Sequence, residues 1–332
     1  MVAEVSAKGG KTKFFNMSSN EWVNDDVTHF MKSGNMLRSP ANERLTEIAK
    51  HIPKNPNGSK IEYDINYGSP SGTIAGYKFT DLLTQVIYLA PCNTKIATEN
   101  MIQCIRKGAT AEGYRIVEAL KANLTDKYLL DEDLDLEYGD VNELVLLPGT
   151  NLITKDAVDF KKVDELFKNG AWVKLHPITA KIWQTMLEQR FKGKVVKNDA
   201  SMYPILQRAK KVYFTLSSET GCAAVILGKG IGLIDNKEGK VGKTFEAIYT
   251  SLDRSGVKDK LINKFAALMS YPESGLISVH HENKEECIQR FFDNMKKHKH
   301  ITLSKKPGEV GDEVIDKELK EQVELKQPWK QL

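Results

Sequence analysis

Apolar and polar positions divide the chain into stretches of different period. Through residues 1–45, short apolar pieces are broken by Gly9-Gly10, Ser18-Ser19 and Gly34, which predicts a polar N-terminal segment with soft boundaries. Lys60 to Tyr67 alternates like a strand and runs into Gly68-Ser69-Pro70-Ser71-Gly72. That small-residue run predicts a flexible turn whose backbone can approach a sugar or phosphate closely. Helical spacing then takes over from Thr80. It covers Asp81-Leu82-Leu83 through Leu89, then Thr98 to Leu124, where Met101, Ile102, Ile105, Ile116, Val117 and Leu120 recur on one side. Together these predict a first lobe over residues 46–140, ending in the acidic link Asp131-Glu132-Asp133-Leu134-Asp135.

The pattern changes at Glu143-Leu144-Val145-Leu146-Leu147, a continuous apolar run of the kind a parallel strand buried on both faces requires. A helix over 156–169 closed by Gly170 follows, then a strand over 171–175 that His176-Pro177 ends. The alternation continues with a helix over 179–191, a strand at 194–196, a helix over 201–210, a strand over 211–216, a helix from Thr220 and a strand over 230–234. Such β–α alternation predicts a doubly wound parallel sheet in a second lobe over residues 141–300, within which 285–298 reads as an amphipathic helix. Residues 301–332 read as a C-terminal helix or tail, with 312–325 a candidate to brace the first lobe.

A length of 332 residues suits two cores, since single domains run to roughly 100–200 residues. Hydrophobic content of 41% and charged content of 28% exclude a disordered scaffold. The four cysteines, Cys92, Cys104, Cys222 and Cys287, form neither a CxxC pair nor an even framework, which points to a reducing cytoplasm. No stretch approaches the roughly 18 apolar residues of a membrane span, so no membrane partner is expected. A net charge of +4 is too mild for a nucleic-acid signature and leaves the acceptor open.

Ligands of open parallel sheets bind outside the carboxyl ends of the strands. Two segments fall there: Lys174-Leu175-His176-Pro177, and Ser217-Ser218-Glu219-Thr220-Gly221 at a helix start. Hydroxyls and backbone N–H groups of the second can hold a phosphate, and His176 can stabilise charge on a departing one. A purely structural use stands beside this, with Pro177 ending the strand and Ser217-Ser218 capping the helix. Gly239-Lys240-Val241-Gly242-Lys243-Thr244 has only the tail of a phosphate-binding P-loop and reads as charged surface or a lid. His280-His281-Glu282 lacks metal-ligand spacing, and no metal is expected.

Over residues 143–235 the chain resembles GT-B glycosyltransferases of the kind seen in bacterial sialyltransferases, capsule Kdo transferases and teichoic-acid polymerases. Those enzymes carry an HP motif at a strand end and a serine-rich motif at a later helix start, matched here by His176-Pro177 and Ser217-Ser218. Ser201-Met202-Tyr203 through Val212, Gly221 through Ala224 and Leu227-Gly228-Lys229 resemble the surrounding frame. The resemblance implies an α/β GT-B fold, two Rossmann-like doubly wound lobes with a cleft between them, and a metal-independent transferase with no bound cofactor. Its donor would be a CMP-sugar, with a UDP-sugar held through Glu219 as the alternative. The implied donor contacts are Lys174, His176, Pro177 and Ser217 to Gly221, with Gly68, Ser69, Ser71 and Gly72 from the first-lobe loop. Inverting transfer needs a carboxylate base from the first lobe. Asp64 and Glu112 are the candidates, Glu112-Gly113 being similar to an acidic-acidic-glycine motif whose first acidic position is Ala111 here.

Abundant Asn, Lys and Tyr and a compact first lobe resemble phage proteins, and T-even-like phages glycosylate hydroxymethylated cytosines in their own DNA. On that resemblance the acceptor is the hydroxymethyl group of 5-hydroxymethylcytosine in double-stranded DNA, the transfer is arabinosyl or glucosyl, and the site of action is the host cytoplasm. Lys11, Lys13, Lys78, Arg106, Lys107 and Arg115 are candidates for phosphate contacts. The alternatives are a glycosyltransferase of capsule or lipooligosaccharide synthesis and a catalytically silent nucleotide- or DNA-binding module.

Overall fold

The computed structural model of the chain describes residues 2–4, 13–16, 21–22, 63–66, 69–74, 77–91, 93–124, 138, 140–239 and 243–295. Three short strands, β1 (Val2–Glu4), β2 (Lys13–Asn16) and β3 (Glu21–Trp22), pair antiparallel. Next come β4 (Tyr63–Asn66), β5 (Ser69–Ile74), β6 (Tyr77–Leu82) and β7 (Val86–Pro91), followed by helices α1 (Thr94–Lys107) and α2 (Ala111–Ala122). The alternating stretch is β8 (Glu143–Leu146), α3 (Thr150–Ile153), α4 (Phe160–Lys168), β9 (Trp172–Lys174), α5 (Lys181–Arg190), β10 (Val195–Val196), α6 (Tyr203–Arg208), β11 (Lys211–Phe214), α7 (Thr220–Ile226) and β12 (Gly230–Leu233). Finally α8 (Glu246–Arg254), α9 (Leu261–Ser270), β13 (Leu276–Ser278) and α10 (Lys284–Met295) return the chain to its first sheet.

The α/β class and the doubly wound parallel sheet expected from the alternation are what this chain forms. The sheet order is β10-β9-β8-β11-β12, all parallel. Alternate residues serve opposite faces. Leu144, Leu146, Val212 and Phe214 join one core cluster, while Val145, Leu147, Val173, Leu175 and Tyr213 join another with Val163, Leu187 and Phe191 of the outer helices. Residues 144–146 of β8 and 212–214 of β11 are thus buried whichever way they point, which is why the sequence shows no alternation there.

In the first lobe the described sheet departs from the Rossmann expectation: its order is β13-β7-β6-β5-β4 and every pairing is antiparallel. The helix expected from Thr80 to Leu89 is the hairpin β6–β7. Leu82 through Pro91 are buried at every position, so no polar face marks a period, and β-branched Val86 and Ile87 favour the strand. The three-residue connection Leu83–Gln85 places Leu83 at φ 57° and Thr84 at φ 58°, the pair of positive φ values a type I′ turn requires, with Gln85 N–H donating to the Leu82 carbonyl at 3.4 Å. The flexible loop expected over Gly68–Gly72 is, from Ser69 on, strand β5. Pro70 is tolerated because it faces only Ile65 of β4, pairing with β6 beginning at Ser71.

The helical run 98–124 divides in two. The Asn93 side chain accepts from Lys95 and Ile96 N–H at the start of α1, Gly108 ends it at φ +81°, and the Thr110 hydroxyl accepts from Gly113 N–H to open α2. Buried side chains of α1, α2, α7, α8 and α9 belong to the same cluster as Leu144 and Phe214, so one core runs from β7 to the parallel sheet. Fully burying each of its large apolar side chains contributes about 1.5–3 kcal/mol. Among the described residues, no helix is long and apolar enough to cross a membrane.

Candidate functional site

Strands β8 and β11 are neighbours, yet the chain leaves them toward opposite faces. Ile153 and Val163, following β8, pack into the cluster that holds Val173 and Phe191, whereas Cys222 to Ile226, following β11, pack into the one that holds α1 and α2. This is the topological switch point of the sheet, the place outside the carboxyl ends where open parallel sheets generally bind their ligands.

Beside it, after β9, lies the His-Pro loop. Thr150 is fully buried at the start of α3, and its hydroxyl accepts from Ala180 N–H at 2.8 Å, fixing the loop's far end. The Ile178 N–H donates to His176 Nδ1 at 3.2 Å, which leaves the neutral ring's proton on Nε2. The His176 carbonyl accepts from Thr179 N–H at 2.9 Å and closes a turn. Buried Lys174 directs its ammonium to the carbonyls of Leu175 (2.8 Å), Lys197 (2.8 Å) and Asn198 (3.3 Å). Three carbonyls match the three N–H bonds of the group, so Lys174 holds the end of the sheet together.

The serine loop follows β11. Ser218 N–H donates to the Thr215 carbonyl at 2.8 Å, Phe245 N–H to the Leu216 carbonyl at 3.0 Å, and the Tyr249 hydroxyl to the Ser218 carbonyl at 2.5 Å. Ser217, Ser218, Glu219 and Thr220 are half-buried, and the N-cap position of α7 is Glu219, whose side chain makes no capping bond, not either serine. Gly221 is required by close approach: a Cβ there would fall inside contact distance of the Phe214 ring and the Tyr249 hydroxyl. The Glu219 carboxylate accepts from Leu83 N–H at 3.4 Å, joining the serine loop to the β6–β7 turn of the other sheet. Burial pushes the neighbouring Cys222 thiol up to about 12, so it is no nucleophile.

Two features of this edge escaped the sequence reading. Asp235, just past β12, accepts the Leu216 N–H with both carboxylate oxygens, at 3.1 and 3.0 Å. Burial pushes its carboxyl up to about 6, against the pull of the Leu216 N–H and of Lys243, while Glu246 raises it further. In addition, the hydroxyls of Thr179 and Thr215, one in each loop, are buried without a hydrogen-bond partner. A buried polar group left unpaired in a folded protein calls for an explanation, and an absent ligand is one. An acidic residue directly after the apolar run 230–234, a threonine directly after β11 and another two residues past His176-Pro177 were the available signals.

The remaining candidates are placed elsewhere or fall outside the described residues. Asp64 pairs with Ser71 across β4 and β5, the outer strands of the antiparallel sheet, with Ser69 opposite Asn66 and Gly72 opposite Tyr63. Gly68 lies outside the described residues, as do Lys11, 240–242 of the Gly239–Thr244 segment, the acidic link 131–135 and 312–325. Glu112, exposed in the first turn of α2, pairs with Arg115 at 3.8 Å, and Arg115 in turn reaches the His280 carbonyl at 3.2 Å. That surface belongs to α2 and the turn after β13, not to the carboxyl edge of the parallel sheet. Arg106 donates to the Ser255 carbonyl and Lys107 lies over the Tyr271 ring, while Lys13 and Lys78 sit in strands β2 and β6. The two histidines are used structurally. His280 bonds Gln85 at 3.0 Å, and buried His281 accepts from Ser278 N–H at 2.9 Å and bonds the Met269 carbonyl at 3.1 Å.

Fold and site together define an α/β protein whose doubly wound sheet presents two polar loops at its switch point. No protein-family model matches the chain, and no curated protein matches it. Among solved structures, it is similar to the beta Kdo 2,7 transferase KpsC of Thermosulfurimonas dismutans over 65% of this chain and 77% of that one, at 15% sequence identity and a TM-score of 0.35. A likeness that slight carries no argument, and the functional reading rests on the geometry of the edge.

Proposed function

We propose that the chain is a glycosyltransferase that takes a sugar from a CMP- or UDP-linked donor and transfers it to an acceptor hydroxyl. The observation that carries this reading is the position of the His176-Pro177 and Ser217-Ser218 loops beside the switch point between β8 and β11. The donor's phosphate would lie between them, taking hydrogen bonds from His176 Nε2, from the serine hydroxyls and from the buried Thr179 or Thr215 hydroxyl. In transfer the bond from the anomeric carbon to the phosphate oxygen breaks, and the phosphate leaves with the electron pair. The acceptor oxygen bonds to the anomeric carbon and gives its proton to a carboxylate base. The acceptor we favour is the hydroxymethyl group of 5-hydroxymethylcytosine in phage DNA, drawn to the cleft as a flipped base.

One observation favours a second reading, a nucleotide-binding module without turnover: Glu112 lies on the surface shared with Arg115 and His280, and Asp64 lies on the outer strand β4. Incubating the protein with CMP- and UDP-sugars and hydroxymethylated DNA, plain DNA or oligosaccharides, followed by mass spectrometry, separates the readings. A sugar mass added only to hydroxymethylated DNA is the expected result. Transfer to oligosaccharide would assign the chain to envelope polysaccharide synthesis, and nucleotide binding without donor hydrolysis would assign it to the module class.

A further inference from the structure

We propose that Asp235 is the positioning residue of the serine loop, and that binding of an anionic nucleotide there is coupled to uptake of a proton by its carboxyl group. The inference rests on the reading of that loop as the donor-phosphate site.

Both Asp235 oxygens sit at hydrogen-bond distance from Leu216 N, one residue before Ser217, and the Leu216 carbonyl on the other side of the same residue is held by Phe245 N–H. Leu216 is therefore clamped through both its N–H and its carbonyl. The clamp is long-range: Asp235 is brought to it by the parallel pairing of β11 with β12, where Phe214 faces Leu233, and by its own bridge to Val158. The charged groups that act on it are Lys243 and Glu246, both from the segment opening α8, while Asp156 bonds the adjacent Asn236 at 2.7 Å. One cation and one anion leave burial as the main influence, so an arriving phosphate meets a carboxylate that is already hard to ionise. Its carboxyl stands at about 6 before any ligand arrives, and a second anion beside it pushes it higher. By linkage, binding then takes up a proton and tightens as pH falls through that range.

Two measurements on the full chain test this, with Asp235→Asn, which keeps the acceptor and removes the charge, and Asp235→Ala, which removes both. The first is hydrogen exchange of the peptide covering 215–219 without nucleotide. Positioning predicts faster exchange in Asp235→Ala and near wild-type protection in Asp235→Asn; equal protection in all three proteins would overturn it. The second is calorimetric titration with UDP-glucose and CMP-N-acetylneuraminic acid, whose esterified phosphates do not titrate in this range, from pH 7.5 to pH 5.5. Wild-type affinity is expected to rise about three- to tenfold on acidification. Asp235→Asn should bind more tightly at pH 7.5 and lose most of that rise. An identical pH slope in wild type and Asp235→Asn overturns the coupling. If none of the proteins binds either nucleotide, the donor reading falls and the coupling with it, while the exchange measurement still decides the positioning role.

Discussion

Single side chains at the carboxyl edge do two opposed kinds of work. Lys174 and Thr150 stabilise it: a buried ammonium meets three carbonyls and a buried hydroxyl meets the Ala180 N–H, so each of these groups is paired. Asp235 works against stability. Folding raises its carboxyl from the ordinary 3.8 to about 6, so the folded chain holds that proton more tightly than the unfolded chain does. Its contribution is fully present below about 3.8 and is lost as pH rises through about 6. Asp235→Asn, which cannot ionise but still accepts from Leu216 N–H, should therefore gain on wild type as pH rises. After allowing for partial exposure, we expect the gain to reach on the order of 1 kcal/mol, or a few degrees of Tm, at pH 8, with none below pH 4. Melting both proteins across that range checks this; a difference that stays constant with pH would remove Asp235 as the titrating group.

At the scale of elements, helix α7 shows how closely the serine loop depends on packing beneath it. Gly221 lets the helix descend onto the fully buried Phe214 ring and the Tyr249 hydroxyl, the latter donating to the Ser218 carbonyl. Alanine is the better helix former by about 1 kcal/mol. An added methyl against a ring that has no room to move costs about 1–3 kcal/mol, and the backbone shift it forces is passed to Ser218. Gly221→Ala should therefore lower Tm and also raise the KM for donor, whereas an unchanged or raised Tm would mean that α7 rides higher than described here. The same contrast explains what could be read in advance. The parallel strands were legible as short apolar runs and the helices as the mixed stretches between them, and the observed β9, α5, α6, β11 and α7 fall within the expected ranges. The β6–β7 hairpin was not, because burial on every side erases the period and its turn uses Leu83-Thr84 where Asn-Gly would announce it. The placement of His176 and the serines just after strands was legible in the sequence. Asp235 was hidden because its partner, Leu216, is 19 residues away and reaches it only through strand pairing.

Across the whole molecule, what joins the two sheets is a layer of helices and not a bare hinge. Side chains of β7, α1, α2, α7, α8 and α9 and the inner face of β8 and β11 form one buried cluster. The chain also returns through β13 to pair with β7 after building the parallel sheet, so the antiparallel sheet is completed only by residues 276–278. Such a return makes each sheet depend on the other: removing the parallel lobe strips α1 and α2 of partners, and removing the first hairpin leaves β13 unpaired. Two lobes with separate cores would melt in two steps, whereas a shared core makes loss of either sheet expose apolar surface of both. We therefore expect calorimetric melting to show one main transition, with van't Hoff and calorimetric enthalpies in agreement. Two resolved transitions would mean that the helix layer belongs energetically to one sheet alone. In that case the Glu219 contact with Leu83 N–H, which ties the serine loop to the other sheet, becomes a joint able to open, and nucleotide binding should raise the midpoint of the parallel-sheet transition only.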